Sequence, residues 1–385
     1  MADILMINLP LAGHTNPTLP LTEALVRRGH KVSYINAEEY RSKIESTGAE
    51  FIPYENFPAA PTERQKRTGI FRAAFDTGVN LERKYDLLIY EMFFYPGIRI
   101  AEKRGIPCVR QFSQQALNVK MLPHTTLRRK LASVLIDFSV MGTKNAKYMG
   151  LKNGSLGAAI LYDKPPLNVV YVPQIFQSER DTFGEEYMFT VPMSESVSVT
   201  REIPYEAMKP PIVYISLGSL LSNKRFYAEC VRAFGGKDVS VILNTGKVCP
   251  EELGKIPGNI YAYSYVPQVE VLRHADVFLT HCGMNSVNEA MRFGVPMVAM
   301  PLMNDQISNA ERIVSLGIGK RARSFPRNGR QLYETVKEVY EDEQIRRRCA
   351  AIQGLFEKES SLDDVVDRIE KLLGQPCEKQ FVNAP

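Results

Sequence analysis

The sequence is poor in metal-binding and redox motifs. Its six cysteines lie far apart, with no CxxC pair and no histidine at a zinc-ligand spacing: Cys108, Cys230, Cys249, Cys282, Cys349 and Cys377. Isolated cysteines of this kind are typical of free thiols in a reducing compartment. We therefore expect a cytoplasmic protein without a structural metal.

Long apolar runs are absent as well. No stretch approaches the roughly 20 apolar residues that span a bilayer, and "MADILMINLP" lacks the basic region and apolar core of a signal peptide. Lys and Arg number 48 against 43 Asp and Glu, a net charge of +5 without a dominant basic patch. The nearest to a patch, residues 128–130, is compatible with a membrane-surface helix or with the start of an ordinary core helix. We expect neither nucleic-acid binding nor stable membrane insertion.

Dinucleotide-binding glycines are also missing. The loop "PLAGHTNP" contains only Gly13, where a nicotinamide-dependent enzyme needs G-x-G-x-x-G after its first strand. No internal repeat of solenoid period and no low-complexity tract is present. These absences argue against a nicotinamide-dependent enzyme and against a repeat protein.

What the sequence does contain is a regular alternation of strands and helices. Its 385 residues, 44% of them hydrophobic, suffice for two domains with separate cores. Asn16 is expected to cap the first long helix, with Pro17 at its first position and Gly29 ending it. Such alternation builds a parallel sheet wrapped by helices. Apolar runs predict nine strands, at residues 4–9, 30–36, 86–91, 106–112, 210–219, 239–246, 259–267, 275–281 and 295–301.

The alternation breaks at residues 184–210, which are rich in Ser, Glu and Pro and are expected to be irregular. Ser361 and Asp364 are spaced as a capping box for a last helix. The apolar stripe of that helix is Val365, Val366, Ile369, Leu372 and Leu373. We expect four parts: a domain at 1–190, a linker at 191–210, a second domain at 211–358, and a final helix with its tail at 359–385.

The most informative stretch is "HCGMNSVNEAMRFGVP", which begins at His281. An apolar strand followed by a helix that starts near Asn285 directs free N–H groups and the helix dipole toward an anion. Gly283 allows close approach of the backbone, and Ser286 offers a hydroxyl. Glu289 shares a helix face with Asn285, where its carboxylate can accept two hydrogen bonds from a ribose 2′,3′-diol. A simpler interpretation stays open, in which Asn285 and Ser286 only cap the helix and Glu289 is solvated.

Neighbouring stretches extend this candidate nucleotide site. Val266-Pro267-Gln268 ends the preceding strand, where a flat base could stack, and Asp305-Gln306 follows the next strand, where open α/β sheets place ligands. With these residues the sequence resembles the inverting, nucleotide-sugar-dependent glycosyltransferases with two facing Rossmann-like α/β domains (GT-B type), especially bacterial members that glycosylate macrolides and flavonoids. The shared motifs are "GHTNP", "SLGS", the segment from "VPQVEVLRHADVFLTHCGMNS" to "PLMNDQISNAER", and the final helix.

The resemblance implies a sugar-nucleotide donor in the C-terminal domain and an acceptor in the N-terminal domain, to which the last helix crosses back. It implies that Val266 and Gln268 hold uracil, that Glu289 binds ribose, and that Asp305 and Gln306 hold the sugar hydroxyls. The implied pyrophosphate ligands are Ser219, His281, Gly283, Asn285 and Ser286. The family usually has glycine where this chain has Cys282. Phosphate binding should survive that change, because the N–H remains, unless the position needs a positive φ.

Glycosyl transfer to a hydroxyl needs a base whose pKa is near neutral. With His281 assigned to phosphate, elimination and the resemblance both identify His14, in the loop after the first strand, as that base. The family places a carboxylate partner where this chain has Glu91, whose extra methylene is expected to loosen the orientation; a plain surface acid is the alternative. The other histidines are expected to be structural: His30, His124 and His274.

We expect an inverting hexosyltransferase that needs no metal, since no DxD motif lies near the candidate site. The expected donor is a UDP-sugar such as UDP-glucose, and the expected acceptor is a small hydrophobic hydroxylated molecule such as a macrolide, flavonoid or other phenol. The chain should act as a monomer or weak dimer. The alternatives are an accessory protein that only binds nucleotide sugars and a nucleotide-sugar epimerase. An apolar acceptor site and ordinary core are both open for Met92, Phe93, Phe94, Tyr95, Phe112 and Met121.

Overall fold

The computed structural model divides into two compact units, one of residues Met1–Ser194 with Ser360–Pro385 and one of residues Glu195–Glu359. The basic triplet at 128–130 and Ser219 lie outside the described part of the chain. The described residues are 1–58, 69–124, 142–151, 156–191, 202–218, 223–302, 305–322 and 329–374.

The first unit is built on a seven-stranded sheet. Its strands are Asp3–Ile7 (β1), Lys31–Asn36 (β2), Glu50–Pro53 (β3), Leu87–Glu91 (β4), Cys108–Phe112 (β5), Leu167–Val170 (β6) and Tyr187–Phe189 (β7). They lie in the order β3-β2-β1-β4-β5-β6-β7, and all neighbours are parallel. The connections leave β1 and β4 in opposite directions, so the switch point of this sheet lies beyond the carboxyl ends of these two strands.

Helices cover the sheet of the first unit. They are Ala12–Thr15 (α1), Leu19–Arg27 (α2), Arg41–Glu45 (α3), Ile70–Asn80 (α4), Gly97–Arg104 (α5), Gly142–Tyr148 (α6) and Leu156–Tyr162 (α7). The residues from Ile4 to Ile7 are all fully buried and divide between two apolar clusters, as expected for a parallel strand packed on both faces.

The predicted start of the first long helix is wrong. Asn16 lies in a 3₁₀ turn between α1 and α2, with helical φ and ψ of −56° and −42°. A capping residue needs an extended backbone, but here the chain is already helical from Ala12 onward. The Asn16 side chain instead accepts a hydrogen bond from Lys43 Nζ at 3.3 Å.

The second unit repeats the design of the first on six parallel strands. These are Ile212–Ser216 (β8), Ser240–Asn244 (β9), Ile260–Tyr263 (β10), Val277–Thr280 (β11), Met297–Ala299 (β12) and Gly319–Arg321 (β13). The order is β10-β9-β8-β11-β12-β13, which puts the switch point at β8 and β11. Its helices are Lys224–Phe234 (α8), Gln268–Leu272 (α9), Met284–Arg292 (α10), Asp305–Leu316 (α11), Gly329–Glu341 (α12) and Glu343–Gln353 (α13).

The last described helix, Leu362–Leu373 (α14), belongs to the first unit. The Ser361 hydroxyl accepts from the Asp364 N–H at 3.1 Å and the Asp364 carboxylate accepts from the Ser361 N–H at 2.8 Å, the predicted capping box. Val365 and Ile369 are fully buried in the core cluster that also contains residues of α2 and β1. Helix α14 therefore completes the core of the first unit, as the resemblance implied.

The predicted fold class of two parallel α/β units is confirmed, and all nine predicted strands are present. Four short strands were not predicted: β3, β6, β7 and β13. The expectation that residues 184–210 are irregular is wrong at Tyr187–Phe189, which pairs with β6 at one edge of the sheet. Among the helices of the described residues, none combines the length and apolar character needed to cross a membrane.

Candidate active site

The switch point of the first sheet brings His14 and Glu91 together. Glu91 is the last residue of β4, and His14 lies in the short helix α1 after β1, not in an open loop as predicted. His14 Nδ1 is 2.8 Å from Glu91 Oε1. The two side chains are thus adjacent although 77 positions separate them in the sequence.

Glu91 is neither a surface acid nor loosely oriented, and both expectations are wrong. Its side chain is 0% exposed. Oε1 lies near His14 and accepts a hydrogen bond from Ser113 Oγ at 2.8 Å, while Oε2 accepts one from the Phe93 N–H at 2.9 Å. Three groups therefore fix the carboxylate, which offsets the extra methylene of glutamate relative to aspartate.

Ser113 is the member of this site that sequence reasoning missed. It directly follows β5, the neighbour of β4, and its Oγ lies 2.5 Å from His14 Nδ1. The signal that could have found it is its position as the first residue after an apolar strand, the end at which open α/β sheets place their ligands. The resulting cluster of His14, Glu91 and Ser113 is called the base triad below.

Buried polar groups beneath His14 fix the turn that carries it. Asn8 Nδ2 donates to the His14 carbonyl at 3.3 Å and to Thr18 Oγ1 at 3.4 Å. Thr18 Oγ1 also lies 2.7 Å from the Tyr34 hydroxyl. Asn8, Thr18 and Tyr34 are fully buried, so the backbone of His14 rests on groups that cannot exchange their partners for bulk water.

The six candidate acceptor-site side chains fall into two groups. The Phe93 ring is partly exposed and meets the His14 ring edge-on, with the centroids 4.5 Å apart. Met121 is also partly exposed. The other four are core residues, buried to within a few per cent: Met92, Phe94, Tyr95 and Phe112.

At the switch point of the second sheet, His281 lies between two glycines. A Cβ on Gly218, which follows β8, would come within 2.7 Å of the imidazole, and a Cβ on Gly283 within 2.5 Å. Gly218 also has a φ of +75°, which glycine adopts without strain. These two positions therefore make room for the ring as well as for a ligand.

His281 is neutral at physiological pH in this structure. Desolvation by burial lowers its pKa to about 4, against a backbone hydrogen bond at Ser216 that raises it. Among the described residues, no hydrogen-bond partner is present for His281 Nδ1, although the atom is buried. A buried imidazole nitrogen without a protein partner can bond to a ligand.

Helix α10 presents its N-terminus at this site. The N-cap is Gly283, with φ −62° and ψ 139° and no side-chain cap. The interpretation that Asn285 and Ser286 merely cap the helix is therefore wrong, because both lie inside its first turn. The free N–H groups of that turn remain available to an anion.

Glu289 is part of a hydrogen-bonded group and is not solvated, so that alternative is also wrong. Gln268 Nε2 donates to Glu289 Oε2 at 2.6 Å and to Ser286 Oγ at 3.0 Å. The Tyr214 hydroxyl donates to Gln268 Oε1 at 3.1 Å. Burial raises the pKa of Glu289 to about 7, while the bond from Gln268 opposes the rise.

The remaining donor-site candidates belong to the same unit. The Val266 side chain is buried, which leaves its backbone as the part that can meet a base. Asp305 and Gln306 begin α11 after β12, and Gln306 Oε1 accepts a hydrogen bond from the Leu302 N–H at 2.9 Å. Within the described residues, no group of three or more His, Cys, Asp or Glu is arranged to share a metal ion.

Cys282 occupies a position that does need a positive φ, since its φ is 67°. Its N–H donates to Thr280 Oγ1 at 3.1 Å, and its carbonyl accepts from Asn309 Nδ2 at 3.0 Å. The positive φ is the condition under which the sequence left phosphate binding open, and in this conformation the Cys282 N–H is bonded within the turn. The residue is fully buried, and burial raises the pKa of its thiol to about 12.

Solved structures have a similar fold over nearly the whole length of this chain. The glycosyltransferase of kitacinnamycin superimposes with a TM-score of 0.79 at 28% identity, covering 96% of this chain and 98% of that one. CalG4, the calicheamicin glycosyltransferase, superimposes with a TM-score of 0.78 at 25% identity. The match covers 97% of this chain and 99% of that one. The fold defines a nucleotide-sugar glycosyltransferase of the GT-B type.

Sequence relatives give the family. The NDP-glycosyltransferase YjiC of Bacillus licheniformis is 31% identical over 96% of this chain and 97% of its own length. The oleandomycin glycosyltransferase of Streptomyces antibioticus is 27% identical over 98% of this chain and 93% of its own length. Residues 206–359 match the family model described as UDP-glucoronosyl and UDP-glucosyl transferase. The chain belongs to this family of glycosyltransferases.

Proposed function

We propose that this enzyme is an inverting hexosyltransferase that moves glucose from UDP-glucose to a hydroxyl of a small hydrophobic acceptor, such as a macrolide, a flavonoid or another phenol. The observation that carries the proposal is the 2.8 Å contact between His14 Nδ1 and the buried carboxylate of Glu91 at the switch point of the first sheet. The names of relatives, which include an oleandomycin and a calicheamicin glycosyltransferase, support this acceptor class.

In this proposal His14 is the general base. His14 Nδ1–H donates a hydrogen bond to Glu91 Oε1, so Nε2 is the nitrogen that takes the proton from the acceptor hydroxyl. The acceptor oxygen attacks the anomeric carbon while the bond from that carbon to the diphosphate oxygen breaks, and the electron pair leaves with the diphosphate. The negative charge of Glu91 stabilises the imidazolium that forms. A single displacement from the opposite face inverts the anomeric configuration.

The second unit is assigned to the donor. The first turn of α10 binds the diphosphate through N–H groups and the helix dipole, and the resemblance assigns His281 to the same diphosphate site. Glu289 accepts from the ribose diol, and Gln268, whose side chain is bonded to Glu289 and Ser286, orients that carboxylate. The other assignments follow the resemblance: Val266 to uracil, Ser219, Gly283, Asn285 and Ser286 to the diphosphate, and Asp305 and Gln306 to the sugar.

We assign no step to a metal. Charge that develops on the departing diphosphate meets the N–H groups of the first turn of α10, donors already arranged by the fold. A helix N-terminus stabilises an anion by roughly 0.3–2 kcal/mol in partly buried geometries. Preorganised donors of this kind do the electrostatic work that a divalent cation does in other transferases.

The reaction can be tested with the purified full-length enzyme. UDP- and dTDP-sugars are incubated with a panel of phenols and macrolides, and the products are identified by mass spectrometry. A hexose added to an acceptor in the presence of UDP-glucose supports the proposal. Isomerisation of the sugar nucleotide without an acceptor product would indicate an epimerase. Binding of the sugar nucleotide without turnover would indicate an accessory protein.

The role of the base is tested by His14→Ala. Transfer should fall on the order of 10²–10⁴-fold, as is common when a general base is removed. The dissociation constant for UDP should not change, because the donor residues belong to the other unit. The matched control is His274→Ala, an exposed histidine that stacks on Tyr205 at 3.8 Å. Undiminished transfer by His14→Ala would remove the base assignment.

A further inference from the structure

Ser113 lies where it can control the protonation geometry of the base. The residue is buried, with 3% of its surface exposed. Its hydroxyl oxygen lies 2.5 Å from His14 Nδ1 and 2.8 Å from Glu91 Oε1. We infer that Ser113 is a positioning residue, which holds His14 in the tautomer with its proton on Nδ1. The inference rests on the proposed role of His14 as the base.

The hydrogen-bond directions in the base triad follow from the chemistry of each group. Ionised Glu91 only accepts, so the single hydroxyl proton of Ser113 points to Glu91 Oε1. The lone pairs of the Ser113 oxygen then face His14 Nδ1. Nδ1 must therefore carry a proton to form a hydrogen bond with that oxygen. His14 Nδ1–H is thereby shared between two acceptors, Ser113 Oγ and Glu91 Oε1.

The opposite tautomer is disfavoured in the same arrangement. With Nδ1 unprotonated, its lone pair would face the Glu91 carboxylate oxygen at 2.8 Å without a proton between them. Ser113 could satisfy only one of the two acceptors. The triad therefore satisfies all its groups in one tautomer, the one that leaves the basic lone pair on Nε2.

Ser113 also restricts the Glu91 side chain, which has one more rotatable bond than the aspartate that the resemblance led us to expect. Ser113 holds Oε1 and the Phe93 N–H holds Oε2, so both ends of the carboxylate are fixed. Ordering an additional torsion costs conformational entropy. The hydrogen bond from Ser113 offsets that cost in the folded state, before any substrate binds.

The segment after Ser113 is itself anchored. Gln177, which is buried, accepts from the Ala116 N–H at 2.9 Å and donates to the Ala116 carbonyl at 3.0 Å. Gln115 Oε1 accepts from the Ser178 N–H at 3.0 Å. The hydroxyl of Ser113 is therefore presented from a backbone that is bonded to the segment after β6.

The test compares Ser113→Ala with Ser113→Thr. Loss of a hydrogen bond to a charged group predicts a kcat lower by about 10- to 100-fold for the alanine variant. The KM for the donor should stay within about twofold, and the threonine variant, which keeps a hydroxyl, should recover most of kcat. The control is Ser46→Ala, which removes an exposed hydroxyl bonded to the Lys43 carbonyl at 2.8 Å and should leave kcat unchanged.

Two readouts separate positioning from general loosening of the fold. In a Glu91→Ala background the further change Ser113→Ala should lower kcat by less than about threefold, because the two residues act through one imidazole. Nitrogen-15 spectra of the five histidines, with the His14 signal assigned by its loss in His14→Ala, should show protonated Nδ1 in the wild type and a tautomer mixture in Ser113→Ala.

An unchanged kcat and an unchanged tautomer in Ser113→Ala would overturn the inference, and so would full additivity with Glu91→Ala. Should the alanine variant fail to fold, Ser113→Cys, similar in shape but a weaker donor, replaces it with the same expected split between kcat and KM. The proposed function fails separately: His14→Ala with full activity removes the base itself, whereas inactive His14→Ala with normal Ser113→Ala removes only the present inference.

Discussion

Donor affinity should fall below neutral pH because Glu289 titrates there. Burial raises the pKa of this carboxyl from 4.5 to about 7. The ribose diol donates hydrogen bonds and therefore selects the ionised form. When only that form binds, about nine-tenths of the protein is competent at pH 8 and about one-tenth at pH 6, so the dissociation constant rises roughly tenfold between these values.

Calorimetric titration with UDP-glucose between about pH 5.5 and 8 measures this effect. UDP-glucose is preferred to UDP, because a terminal phosphate would itself titrate near pH 6. His281 does not interfere, since its pKa is about 4. Glu289→Gln should bind more weakly with a flat profile. A wild-type dissociation constant that is the same at about pH 5.5 and at pH 8 would refute the reasoning. So would a glutamine variant whose dissociation constant changes with pH as steeply as that of the wild type.

The stability of the empty protein gives a second readout with a defined sign. A carboxyl whose pKa is raised in the folded state contributes stability below its unfolded pKa of 4.5, and that contribution is lost as the pH rises through about 7. The shift corresponds to about 3 kcal/mol at most. Glu289→Gln should therefore have a higher melting temperature than the wild type at pH 8, and this difference should disappear near pH 4.

Three further predictions concern other parts of the structure. Glu91→Gln keeps the size but loses the charge, and should lower kcat on the order of 10²-fold or more without changing the melting temperature by more than a few degrees. Cys282→Gly should be more stable than Cys282→Ala by about 1 kcal/mol in denaturant unfolding, because both lose the thiol but only glycine accepts the φ of 67° without strain; equal stability would contradict this. Ile369→Ala should cost about 2–5 kcal/mol, because this side chain of α14 is fully buried, whereas the exposed Arg368→Ala should stay within about 0.5 kcal/mol.

The fold could be predicted from sequence where local pattern and tertiary burial agree. Strands such as β1 and β11 are continuous apolar runs because both faces are covered, and the position of a polar residue after them locates the edge of the sheet. His14 and His281 could be placed after the ends of their strands for this reason, whereas the role of Glu91 was implied only by the resemblance. Strands of three or four residues, such as β7 and β13, have too few side chains to show a period.

Contacts between distant segments were not predictable from pattern. Ser113 meets Glu91 only because β5 pairs with β4, and nothing in its immediate sequence marks it. The resemblance assigns Gln268 to uracil largely through its backbone, and no sequence pattern indicates the 2.6 Å hydrogen bond from its side chain to Glu289. The positive φ of Cys282 arises from the turn between β11 and α10. It could not be expected from the residue itself, because cysteine rarely adopts such angles.

The measurement that tests the central claim most directly is the penalty of His14→Ala across acceptors of graded acidity. A general base matters most for acceptors that hold their proton tightly. The ratio of wild-type to variant kcat/KM should be largest for an aliphatic alcohol and should shrink toward one for a nitrophenol, which is already ionised near neutral pH. A ratio that is the same for every acceptor would contradict proton removal by His14.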